Sequence, residues 1–261
     1  MNIVKPSYEI LGIFPDEEDC LQWLERIGRT CYKSEDRITE ESAPKFVRSI
    51  LKLGRMDMLD AKVHDLVLDA MDAHISADAD NTTALIMGAF KDVLADPPHE
   101  SVIEHSLITV RFIFDRGISH EMVRHRLCAF SQESTRYCNY NKKDGGQLNI
   151  VNPSFWLAQN PQEFDCIAVW AKAMEDAEDR YNELIERGAK PQEARSVLPN
   201  SLKTEIVVTA NFREWRHIFR LRTSKRAHPQ MREVVVPLLR ELKAKPNLGL
   251  LFEDIPDPKD V

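Results

Sequence analysis

No stretch of the chain approaches the eighteen or so apolar residues that a membrane-spanning helix needs. The opening, MNIVKPSYEILGIF, lacks the basic stretch and long apolar run of a secretory leader. A cytoplasmic protein with no membrane partner is therefore expected. Cysteine is sparse: Cys20, Cys31, Cys128, Cys138 and Cys166 are odd in number, and none forms a CxxC pair. That argues against a disulfide framework and a structural zinc site, and reduced thiols are the simpler account. Internal repeats and low-complexity linkers are absent too. There is no aromatic stacking stripe and no recognised nucleic-acid-binding motif, and the formal charge is -7. A nucleic-acid backbone is thus not the expected partner.

What is present describes an ordinary globular chain. Its 261 residues are 43% hydrophobic and 30% charged, enough for a substantial core in one large domain or two small ones. The basic residues are unevenly placed. In NFREWRHIFRLRTSKRAHPQMR seven Arg and Lys accompany a single Glu. One strongly basic segment in an acidic protein points to a site for small anions such as phosphates or carboxylates.

SYEILGIF reads as a strand, followed by a helix over Glu17–Cys31 and another from Glu40 to Leu53, where Phe46, Ile50 and Leu53 share a face. Residues 56–97 carry two further helical patterns, the second ending at Pro97-Pro98. In HSLITVRFIFDR the period changes to two, with Ile108, Val110, Phe112 and Phe114 alternating, so this is a half-buried strand. A short helix from Gly117 and Ser119 is expected to carry HEMVRHR. The longest helix spans about Gln162–Arg187, TEIVVTAN is a strand, and Pro237 is expected to kink or interrupt the helix of MREVVVPLLREL. Separated strands among helices make the fold class α+β.

Three segments carry chemistry. In RHRLCAFSQESTRY, residues Arg124 to Tyr137, adjacent cations at a helix end are costly unless anions neutralise them. Ser131, Gln132, Ser134 and Arg136 then alternate as in an extended segment and make a phosphate cradle, the guanidinium fork fitting phosphate oxygens. An Arg-His-Arg tripeptide by itself is as compatible with a solvated basic turn. In the basic segment, Arg213, Arg216 and Arg220 share one helix face, and His217 lies a turn and a half before Arg222. A surface helix with solvated arginines is the plain reading, although Arg222 is suited to sit over a planar anion. PPHESVIEH offers His99, Glu104 and His105 at a spacing that fits no standard zinc pattern, so hydrogen-bonding roles and no metal are expected.

Together these segments resemble the flavin-dependent thymidylate synthase family. The family signature is Arg-His-Arg, seven variable residues, then Ser, and seven residues separate Arg126 from Ser134 here. HESVIEH upstream, EARSVLPNSLKTE and NFREWRHIFRLRTSKRAHPQMR downstream, and CYKS with TEESAPKF near the start extend the match over most of the chain. The resemblance implies a single α+β domain, a small, mainly antiparallel sheet flanked by helices. It implies reductive methylation of dUMP to dTMP using FAD, with NADPH and 5,10-methylenetetrahydrofolate as co-substrates and no cysteine nucleophile. It further implies a homotetramer with active sites where subunits meet. Ser101, Arg124, His125, Arg126, Gln132, Asn211, Arg213 and His217 match flavin-contacting positions. Glu121, Arg124, Gln132, Ser134, Arg136 and Arg195 match the nucleotide-binding set. Arg222 matches the arginine that binds the uracil and favours its ionisation at N3, the catalytic assignment. Arginine cannot act as a base near neutrality, but it can stabilise negative charge on the pyrimidine.

The chain departs from the pattern in places. Residues from about 55 to 97 look like a helical insertion, open to reading as a lid, an extra interface or surface decoration, with decoration or interface favoured. Glu121 stands where Gln is common, and a carboxylate there repels phosphate unless paired. Gln132 replaces the Glu of some relatives, so it cannot titrate, and Arg226 replaces a frequent His. Three other readings compete with this one. A classical thymidylate synthase needs a Pro-Cys-His arrangement, which is absent; Cys128 and Cys138 read as packing residues. A non-enzymatic nucleic-acid or nucleotide binder would use the arginine-rich segments alone, and an inactive relative would keep only the fold.

Overall fold

The computed structural model describes residues 1–54, 98–142, 146–156 and 161–258. Within them the chain forms β1 (Asn2–Val4), β2 (Ser7–Phe14), α1 (Cys20–Tyr32), α2 (Ser42–Leu51), β3 (Leu107–Asp115), α3 (Arg116–Met122) and β4 (Ala129–Gln132). There follow β5 (Asn149–Val151), α4 (Pro161–Glu186), α5 (Pro191–Ala194), β6 (Lys203–Asn211), α6 (Phe212–Arg222) and α7 (Pro229–Ala244). The helical patterns read in the 55–97 segment lie outside the described residues.

Period-two alternation builds the centre. Ile108, Val110, Phe112 and Phe114 of β3 and Ile206, Val208 and Ala210 of β6 are buried on one face. The two strands pair antiparallel from Leu107↔Asn211 to Asp115↔Lys203, and the four-stranded sheet runs β2-β3-β6-β4 with every pairing antiparallel. β1 and β5 form a separate parallel pair. This is the α+β architecture expected from the sequence. α1, α2, α6 and α7 cover the buried face; Trp215 of α6 is fully buried and its indole N–H donates to the Ile108 carbonyl at 3.0 Å. A second, smaller core lies under α4, around Tyr140, Ile150, Trp170, Tyr181 and Leu202. Gly28 lets α1 and α2 approach, because a Cβ there would lie 2.3 Å from the Phe46 ring.

Several boundaries differ from the sequence expectation. α1 begins at Cys20 rather than Glu17, since a turn in which the Asp19 amide donates to the Asp16 carbonyl precedes it. α2 is shorter at both ends and stops where Lys52 adopts φ 55°. α3 ends at Met122, so Arg124–Arg126 follow the helix instead of riding on it. β4 ends at Gln132, and Ser134–Tyr137 form a turn closed by the Tyr137 amide on the Ser134 carbonyl at 3.2 Å, not an extended run. α7 continues through Pro237, where the burial of Val234, Val235, Val236, Leu238 and Leu239 outweighs the loss of one backbone hydrogen bond. No helix among the described residues is long and apolar enough to cross a membrane.

Candidate functional site

Two capped helix starts organise the site. Asp115, at the end of β3, accepts the Ile118 amide at 2.7 Å and so starts α3. The turn after α3 carries Arg124, His125 and Arg126, and β4 then pairs with β6, Ala129 opposite Thr209. Asn211, at the end of β6, accepts the Glu214 amide at 2.8 Å and starts α6. The Arg-His-Arg turn therefore meets α6 beside the end of β6.

At that meeting point stands a directed hydrogen-bond chain. Arg222, in the last turn of α6, donates from Nε to His125 Nε2 at 3.1 Å, from one terminal nitrogen to Glu121 Oε2 at 2.6 Å, and from the other to the Glu121 carbonyl at 2.9 Å. His125 Nδ1 lies 3.2 Å from Glu214 Oε1. Because Nε2 receives the guanidinium, it must be unprotonated, so Nδ1 carries the hydrogen and donates it to Glu214. The electrostatics agree: burial first, then the charge of Arg222 and the neighbouring His217, lower His125 to a pKa of about 4. The contact with Glu214 is thus a hydrogen bond from a neutral ring to a carboxylate. His217 packs edge-on against His125 with ring centroids 5.5 Å apart.

The remaining predicted residues surround this centre. Asn211, Arg213 and His217 line an open groove of about 600 Å³ with Glu100, Glu104, Leu127, Glu214 and Arg220. Arg213 is held there by Glu104 at 2.5 Å. Ser101 is exposed on the Glu100–His105 turn, whose Glu100 contacts Arg216 of α6 at 3.1 Å. Arg124 and Arg126 are exposed on either side of buried His125. Gln132 faces inward, its amide donating to Ser119 at 2.9 Å and Thr204 at 3.1 Å. Ser134 Oγ accepts the Arg136 amide at 3.3 Å, Arg136 lies over the Tyr137 ring, and Arg195 donates to Thr135 in the same turn at 3.3 Å. Ser134, Arg136 and Arg195, the residues expected to hold a nucleotide, are thus brought together, with Thr135 added to them. The pairing that Glu121 requires is supplied by Arg222.

His125, Glu214 and His217 also bring potential metal-ligand atoms within 4.8 Å of one another. Both ring nitrogens of His125 are already engaged, however, and a guanidinium stands 3.1 Å from one of them. A dication there would face that fixed positive charge, so the cluster is better suited to hydrogen bonding.

Residues 16–246 match the family model described as "Thymidylate synthase complementing protein". The chain belongs to that family. The flavin-dependent thymidylate synthase of Thermococcus onnurineus (strain NA1) is 34% identical over 145 residues, which are 55% of this chain and 57% of that one. The enzyme of the same name from Corynebacterium efficiens is 32% identical over 185 residues, 64% of this chain and 69% of that one. This chain thus spans less than two thirds of the Thermococcus relative. Two solved structures share the fold. Thymidylate synthase X from Helicobacter pylori, with FAD and dUMP, gives a TM-score of 0.60 at 18% identity, covering 96% of this chain and 98% of that one. The UMP/dUMP methylase PolB from Streptomyces cacaoi, bound with 5-Br dUMP, gives 0.66 at 17% identity, covering 99% and 100%.

For this member of the thymidylate synthase complementing family, sequence reasoning missed Glu214. Asn211 followed three residues later by Glu has the form of a capping box, which would aim the carboxylate back at the helix terminus. Instead Glu214 is buried against His125, 89 positions away, so no local pattern finds the pair.

The low pKa of His125 has a measurable consequence. The unfolded chain binds a proton at His125 near pH 6.5, whereas the folded chain resists it down to about 4. Its stabilising contribution is complete above pH 6.5 and is lost as pH falls to 4, on the order of 3 kcal/mol in all. Glu214, which burial raises, contributes with the opposite sign. Urea unfolding at pH 7 and pH 4.5 is expected to show a smaller pH dependence in His125→Gln than in the parent. Equal pH dependence would contradict the neutral, buried imidazole.

Proposed function

We propose that this chain catalyses the reductive methylation of dUMP to dTMP with FAD, taking reducing equivalents from NADPH and one carbon from 5,10-methylenetetrahydrofolate. The observation that carries this reading is the seating of Arg222. A guanidinium at the end of α6 is oriented by His125 and Glu121, and the same imidazole packs edge-on against His217, which lines the groove with Asn211 and Arg213. The names of the flavin-dependent relatives, and the FAD and dUMP in the H. pylori structure, support it.

The donor set fits a flavin dinucleotide. Arg124, Arg126 and Arg213 offer cations for its phosphates, Ser101, Gln132, Asn211 and His217 offer hydrogen-bonding groups for the rest, and His125, both of whose ring nitrogens are engaged, supports the site by holding Arg222. FAD, when bound, supplies the redox chemistry. The chain's own residues bind and polarise the nucleotide. Ser134, Arg136 and Arg195 form the phosphate end of the site, Arg124 and Gln132 its middle, and Arg222 faces the uracil. Its fixed positive charge stabilises an anionic pyrimidine, favouring loss of the N3 proton without taking that proton itself. Glu121 is the counter-charge that orients Arg222 before the nucleotide arrives. A cysteine nucleophile is not needed. Burial, reinforced by Glu214, pushes the Cys128 thiol up to about 12, so it stays protonated and unreactive. The active unit is a cytoplasmic homotetramer with sites at subunit interfaces, and the single catalytic domain includes the 55–97 insertion.

The test is anaerobic. The purified protein is reduced with NADPH, dUMP and methylenetetrahydrofolate are added, and dTMP is followed together with flavin reoxidation. Stoichiometric dTMP is expected. Bound flavin that NADPH reduces without dTMP appearing would assign the site to another acceptor or nucleotide. Failure to bind FAD at all would overturn the reading.

A further inference from the structure

The hydrogen-bond chain that ends on Arg222 begins on a residue with no role in the functional reading so far. Glu214 and His125 are 6% and 4% exposed, and their contact is screened from water. The backbone of Glu214 is pinned by the Asn211 cap at 2.8 Å, and His217 packs edge-on against the imidazole at 5.5 Å. The ring is therefore held in place. Its tautomer is the remaining freedom, and the two tautomers are not equivalent here.

We propose that Glu214 is a positioning residue: by accepting the Nδ1 hydrogen of His125 it fixes the tautomer whose bare Nε2 receives the Nε–H of Arg222. The orientation of the guanidinium that faces the nucleotide is thereby set from the far side of the imidazole. The opposite tautomer, with hydrogen on Nε2, is the one histidine prefers when free. In this site it would set two N–H donors against each other across 3.1 Å and leave the Glu214 carboxylate without the ring hydrogen. Arg222 would then keep only its contacts with Glu121, at 2.6 and 2.9 Å, about which the guanidinium can swing. Burial acts in the same direction, since it keeps the imidazole neutral and the choice of tautomer meaningful. A carboxylate is suited to the task because it only accepts, whereas an amide can present either an oxygen or an N–H to Nδ1.

The functional half of this inference rests on Arg222 binding the uracil; the tautomer half does not. The experiment separates them. Nitrogen-15 histidine spectra of the full-length, ligand-free protein at pH 7 are recorded for the parent, Glu214→Ala and Glu214→Gln. The His125 signals are assigned from His125→Gln, and dUMP affinity is measured in the same samples. The parent is expected to show His125 wholly in the Nδ1–H form. Glu214→Ala is expected to shift it toward Nε2–H and to weaken dUMP binding about ten- to a hundredfold. Glu214→Gln keeps the size and one acceptor, so it guards against mere unfolding; it is expected to fall between the two in both readouts. A parent His125 in the Nε2–H form, or a tautomer unmoved in both variants, overturns the proposal. A tautomer that moves while dUMP affinity stays constant supports control by Glu214 and overturns Arg222 as the uracil-binding arginine.

Discussion

Replacing Arg222 with alanine is expected to lower the rate of dTMP formation by about 100- to 1,000-fold, the usual loss when a preorganised charge facing a developing anion is removed. The fold should survive. The Arg222 side chain is 18% exposed and sits at the end of α6, and its partner Glu121 is 37% exposed and can turn to water. FAD should also be retained, because the groove residues Asn211, Arg213 and His217 keep their own supports in the α6 cap and Glu104. Arg222→Lys should fall between the parent and the alanine variant. An ammonium restores the charge, but it cannot bond His125 and Glu121 with a planar fork. The measurement is the initial rate of dTMP production at saturating dUMP, with flavin absorbance and thermal unfolding recorded on the same preparations. Unchanged turnover in Arg222→Ala would remove the catalytic assignment; loss of flavin would move Arg222 into the cofactor site.

How much of this was legible in the sequence depends on the range of the interaction concerned. β2, β3 and β6 were readable because a half-buried strand records its environment in every second residue, as at Ile108, Val110, Phe112 and Phe114. α4 was readable for the same reason at helical spacing. The start of α1 was not, since the acidic residues before Cys20 close a turn instead of extending the helix. At Pro237 the expected interruption does not occur. Its local penalty is real, but the buried residues on both sides of it decide the outcome, and their burial is a tertiary fact. In the site, the Arg-His-Arg turn and the basic helix were found by composition, yet composition does not assign a charge to its partner. Glu121 with Arg222, His125 with Glu214, and Arg216 with Asp254 are separated by 101, 89 and 38 positions. Those separations decide which arginines are solvated, and the plain reading of a solvated basic helix fails at Arg216.

Arg216→Ala is accordingly expected to destabilise the protein by about 3–5 kcal/mol, measured as a fall in the urea midpoint at pH 7 with an unchanged slope. Arg216 is 1% exposed, and its guanidinium donates to both oxygens of Asp254 at 2.7 Å, to Glu100 at 3.1 Å and to the Leu251 carbonyl. Burial pushes Asp254 upward, but the hydrogen bonds and charge of Arg216, joined by Arg220, hold it below the usual carboxylate range. Among the described residues, removing the guanidinium leaves Glu100 with the exposed Arg213 and Arg220, and Asp254 with Arg220. The sign with pH follows. The depressed Asp254 stabilises the parent above the ordinary carboxylate pKa, and that contribution is lost as pH falls through its folded value, so the gap between parent and variant should narrow in acid. At 100° per residue, Arg213, Arg216 and Arg220 lie on one side of α6 and Arg222 on the other. Arg216 and Arg220 spend their charge on Glu100 and Asp254, which fixes the helix that carries Arg222. Arg216→Ala should therefore also weaken dUMP binding, although its guanidinium is engaged by Glu100, Asp254 and the Leu251 carbonyl. A variant with lowered stability but unchanged affinity would show that the two faces of α6 act independently.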